Sequence, residues 1–97
     1  MNHMVLVIYN TSIDDEVLEA LRRAGMRCYT QFANLRGAGD CSEPRLNTQV
    51  WPGTNSMLLV ATDTGGLEPI LAAVRALKEI HREEGVRAFV LPLAESV

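Results

Sequence analysis

VLVIYNTSIDDEVLEALRRAG, Val5 to Gly25, contains one strand, one helix and both of their boundaries. Val5 to Tyr9 is a short apolar run rich in β-branched residues, which predicts a strand buried on both faces and therefore central in its sheet. Asn10, Thr11 and Ser12 end it. Ser12, with Asp15 three residues on, is the expected N-cap of a helix with an acidic first turn. That helix is predicted over about 13–24, with Val17, Leu18 and Leu21 inward and Glu16, Glu19, Arg22 and Arg23 outward. Gly25 supplies the left-handed residue that ends it.

Outward from this unit the pattern repeats with one interruption. Met26 to Leu35 alternates loosely, as a half-buried strand does, with Met26, Cys28, Thr30 and Phe32 sharing a side and Cys28 expected buried there. The periodicity breaks from Arg36 to Gly53, where Gly37, Gly39, Asp40, Ser42, Pro44, Asn47, Pro52 and Gly53 are turn-formers. Asn55 to Asp63 predicts a second buried strand. Leu67, Ile70, Leu71, Val74, Leu77 and Ile80 then recur at helical spacing, capped by Asp63 or Thr64, with Pro69 expected in the first turn, where it is tolerated. After Gly85, Val86 to Leu93 reads as a last strand, with Pro92 at its end or at a sheet edge.

The order strand, helix, strand, strand, helix, strand predicts an α+β, ferredoxin-like βαββαβ sandwich: a four-stranded antiparallel sheet with two helices on one face. The 97 residues are expected to form a single domain over 1–97. Nothing in the chain is left to cover the other face of the sheet, so other subunits are expected there.

Bulk properties exclude several function classes. A net charge of -3, with nine Lys and Arg interleaved among twelve acids, gives no basic stripe for nucleic acid. No apolar run is long enough to insert into a membrane. Two cysteines with no leader ahead of them predict a reducing, cytoplasmic setting rather than a disulfide framework.

Three short motifs resemble the PII superfamily of trimeric signalling proteins. They are DDEVLEALRRAG (Asp14 to Gly25), the Gly-x-Gly at Gly37 to Gly39, and EGVRAFVLPLAE (Glu84 to Glu95). The resemblance implies a homotrimer that takes a small ligand, an anion, nucleotide or metabolite, in the clefts between subunits. It further implies that the 36–52 loop regulates a partner protein such as a transporter or enzyme. This chain is a divergent case. Its loop is short and lacks the modifiable tyrosine, and Glu83-Glu84-Gly85-Val86-Arg87 stands where PII proteins have a glycine-rich, lysine-containing phosphate cradle. Arg87 is in the lysine's place, but the missing glycines remove the backbone cradle.

Arg36, Gly37, Gly39, Arg45, Trp51 and Arg87 are the candidate ligand-binding residues. The glycines permit close backbone approach, the arginines and Asn47 supply donors, and Trp51 could wall a pocket or plug the loop against a neighbour. No cofactor is specified. Cys41 and His81, with His3, are weak candidates for a metal, since no ligand spacing joins them; they define an alternative, a metal-responsive trimer of the CutA kind. No nucleophile stands beside an activating base and no acid–base pair is evident, so the chain is not expected to be an enzyme. A small ferredoxin-like enzyme with an inter-subunit site is the further alternative.

Overall fold

A computed structural model describes residues 1–39, 42–46 and 53–97. Strand β1 (His3–Asn10) leads through one turn of 3-10 helix (Thr11–Ile13) into α1 (Asp14–Arg23), followed by β2 (Thr30–Leu35). Two short strands, β3 (Gly37–Gly39) and β4 (Ser42–Arg45), precede β5 (Asn55–Thr62), α2 (Thr64–Ile80) and β6 (Arg87–Pro92). The main sheet has the order β2-β5-β1-β6, every neighbouring pair antiparallel, as the ferredoxin-like reading requires.

The central strands are not buried on both faces within one chain. Val5, Val7 and Tyr9 of β1 and Ser56, Leu58 and Val60 of β5 point to the helices and are buried. They pack with Val17 and Leu21 of α1 and with Ile70, Val74 and Leu77 of α2. The alternate residues, Met4, Leu6, Ile8, Met57 and Leu59, face away and are only half-buried. Leu6 pairs with Leu59 on one side and Phe89 on the other, and Met4 pairs with Leu91. Phe32 lies across from Met57. These residues form one contiguous apolar surface on which Phe89 is 51% and Leu91 50% exposed.

Several local expectations need correction. The cap ahead of the helix is Asn10, whose Oδ1 accepts from the Ser12 backbone N–H at 3.0 Å, not Ser12 itself. An Asx side chain reaches the amide two residues on without further backbone rearrangement, and the single 3-10 turn then feeds α1. Regular pairing begins only at Thr30, because Gly25 (φ 104°) turns the chain and Met26 drops into the core. Cys28, expected buried, is exposed on that lead-in. Asp63 does cap α2, accepting from Gly66 N–H at 2.9 Å. Pro69 is the sixth residue of α2, in its second turn, so Gly65 loses its helical donor at an exposed position where water can replace it. Ile80 is exposed, outside the apolar stripe.

Candidate functional site

The segment read as an unbroken loop contains an antiparallel hairpin, with Gly37 opposite Arg45 and Gly39 opposite Ser42. Turn-formers masked the pattern because strands of three and four residues are too short to show a period of two. Cys41, Asn47, Trp51 and Pro52 lie outside the described residues.

The hairpin is fastened where β1 ends and β5 and β6 begin. Thr11 N–H donates to the Thr54 carbonyl at 3.0 Å, and Asn10 N–H to the Glu84 carbonyl at 3.1 Å. The Thr11 hydroxyl lies 2.9 Å from that of Thr54 and 3.1 Å from that of Ser56. Arg45 is buried here: its Nη1 donates to Asn55 Oδ1 at 3.2 Å and its Nη2 to the Glu83 carbonyl at 3.1 Å. A Cβ on Gly37 would stand 2.9 Å from Asn55 Nδ2, so a side chain here would push the end of the Asn55 amide aside. Arg36 is exposed one residue earlier.

Beyond Glu83 an open groove of about 160 Å³ is lined by Lys78, His81, Arg82, Gly85, Val86 and Arg87. Sequence reading named Arg87 and, as a metal candidate, His81, but missed Lys78 and Arg82. Lys78 lies in the last turn of α2, and Arg82 follows the helix in the turn toward β6. Lys78 also complements the carbonyl end of α2. Arg82 is shared with Glu79 at 2.7 Å, an exposed pair worth at most about 1 kcal/mol, so the guanidinium is readily redirected. The structure therefore brings Gly37 and Arg45 together and sets Arg87 in a basic groove whose lining includes neither of them.

At the other end of the sheet, Gly25, Arg27, Cys28, Thr62, Asp63 and Gly66 contribute to a larger cleft of about 360 Å³ that the sequence did not reveal. His3 starts β1 beside Thr62, whereas His81 belongs to the turn bonded to Asn10 at the far end of that strand. Seven strand steps separate those ends, roughly 23 Å, so the two histidines of one chain cannot share a metal ion. Among the described residues, no group of three or more His, Cys, Asp or Glu side chains is placed to hold one.

Tyr9 anchors the start of α1. Its hydroxyl donates to Asp14, and Gln31 Nε2 donates to Asp14 Oδ1 at 2.7 Å and to the Tyr9 oxygen at 3.3 Å. Burial, and then the bond to Asp14, push the phenol well above its ordinary value of 10.0. Above about pH 10 the unfolded chain releases a proton that the folded chain retains, so stability falls as pH rises through that window and is complete below it. Tyr9→Phe is expected to remove this alkaline loss, up to about 1.4 kcal/mol per pH unit, while costing about 1 kcal/mol at pH 7. Urea titrations at pH 7 and pH 11 measure both.

The frame is thus an α+β ferredoxin-like domain with a bare apolar sheet face and a basic groove at one sheet end. No family model matches the chain, and no curated protein matches its sequence. Solved structures do. CPII from Thiomonas intermedia K12, bound to ADP and bicarbonate, superposes with a TM-score of 0.72 at 19% identity, covering 97% of this chain and 89% of that one. Its apo form gives 0.66 at 18%, covering 98% and 94%. A protein described as PII-like and signalling, from Thermus thermophilus, gives 0.63 at 20%, covering 95% and 86%. The fold of this chain is that of the PII-like proteins.

Proposed function

We propose that this chain is a PII-like regulatory protein. It assembles as a homotrimer, senses a small anionic ligand, nucleotide or metabolite in the clefts between subunits, and signals to a partner protein, a transporter or an enzyme, through the 36–52 loop. It acts in the cytoplasm and is not itself an enzyme. The observation that carries the reading is the groove of Lys78, His81, Arg82 and Arg87, next in the chain to the Glu83 carbonyl that Arg45 grips. Support comes from the fold, which is shared with a protein bound to ADP and bicarbonate. The bare apolar face also fits, since a domain this small gains most from covering it with copies of itself.

Calorimetric titration with ADP, pyrophosphate and bicarbonate tests the ligand. Binding of at least one of them is expected, weakened about tenfold or more in Arg87→Ala and in Lys78→Ala, the factor for one lost charge-assisted hydrogen bond. Binding that is undiminished in both variants defeats this assignment of the groove, as does failure of all three ligands to bind.

A further inference from the structure

The hairpin and the turn that walls the groove are joined through one side chain. Arg45 closes β4, is only 9% exposed, and reaches two acceptors on different segments. Asn55 begins β5, and Glu83 lies 38 residues further along the chain than Arg45. The neighbouring carbonyl, that of Glu84, is held instead by Asn10 of β1 at 3.1 Å, while Glu84 N–H closes the turn onto the His81 carbonyl at 3.1 Å. Successive carbonyls are therefore tied to different bodies, Glu84 to the sheet and Glu83 to the hairpin. Within this short turn stand His81 and Arg82, and it delivers Arg87 to β6. On the hairpin side, β3 also meets Asn55: a methyl group on Gly37 would stand 2.9 Å from Asn55 Nδ2 and displace the same amide that Arg45 holds.

We propose that Arg45 is a positioning residue, not a ligand contact: it transmits the position of the β3–β4 hairpin to the turn at 81–84 and hence to the basic groove. A planar guanidinium suits this role because its two Nη groups diverge in a fixed geometry, so one cannot follow Asn55 without pulling the other. Lysine, with a single ammonium at the end of a flexible stem, cannot hold both acceptors in that register. That the link serves signalling rests on the groove being the ligand site; the link itself does not.

Hydrogen exchange on the whole protein, without ligand, tests the link. In Arg45→Met, amide exchange is expected to rise about tenfold, the effect of one lost charged-donor hydrogen bond, at residues 83–87 as well as at 37–45. Unchanged exchange at 83–87 overturns the proposal. Should Arg45→Met fail to fold, Arg45→Lys decides by the same criterion. Gly37→Ala supplies the reverse direction: a perturbation entered at the hairpin must also raise exchange at 83–87, and confinement to 37–45 again overturns the link. A second arm adds ADP as the probe. Protection at 37–45 is expected in the unmodified protein and lost in Arg45→Lys. Protection that persists in Arg45→Lys overturns the signalling role, whereas ADP that binds neither protein leaves the ligand-free criterion to decide the link.

Discussion

Phe89→Asp is expected to turn an assembly of about three times 10.7 kDa into free chains of 10.7 kDa, each retaining its fold. In the single chain this side chain is already half in water, so aspartate there costs the isolated domain little. In an assembly it would be pressed against the apolar surface of a neighbour, together with Leu6, Leu91 and the rest of that face. An unpaired carboxylate buried there costs several kcal/mol per subunit, and a closed trimer incurs that cost three times over. Light scattering reads the mass, and far-UV circular dichroism should be nearly unchanged. A mass that stays trimeric in Phe89→Asp, or an unmodified protein that is monomeric, refutes the proposed assembly.

Leu58→Ala is expected to fail in the opposite manner, by unfolding. Leu58 lies in the middle of β5, directly across from Val7 and Gln31, and has no exposed surface. Truncation leaves a cavity between sheet and helices that the surrounding β-branched residues cannot collapse into, at a cost of about 2–5 kcal/mol. Against a total of about 5–15 kcal/mol for a domain of this kind, that is a large fraction, and urea denaturation should show the midpoint falling accordingly. A loss below about 1 kcal/mol would mean that the helix-side core is looser than its burial indicates. The contrast with the first variant is diagnostic: one face of the sheet is the internal core, and the other is the apolar face that the proposed assembly would cover.

Much of this was legible in the chain itself. The run at Val5 to Tyr9, the stripe Val17, Leu18 and Leu21, the Gly25 stop and the Asp63 cap each follow from the local rules of strands, helices and caps. Their order restricts the topology to very few choices. Even the bare face could be anticipated, because β1 and β5 are apolar on both sides while the sequence predicts only two helices to cover them. The motifs at Asp14–Gly25, Gly37–Gly39 and Glu84–Glu95 pointed to the fold that structural comparison then found, although no family model matches them.

The site was less legible. Arg36, Gly37, Arg45 and Arg87 were picked as donors and close-approach points, yet nothing in their spacing says that Arg45 is buried or that its partners include Asn55 and a backbone carbonyl 38 residues away. Lys78 and Arg82 were not singled out; they join Arg87 in one groove only through the turn that leads to β6. Cys28 was placed on the wrong side of the surface, because the turn at Gly25 delays pairing until Thr30.

Periodicity, capping residues and glycine positions act over a few residues, and they determined the elements of this protein, their sequence order and the apolar character of both sheet faces. Which cations share a groove, which carbonyl an arginine grips and which face stays bare are set by contacts between segments tens of residues apart. Those contacts exist only once the β2-β5-β1-β6 sheet has closed and brought the ends of β1, β5 and β6 to one place.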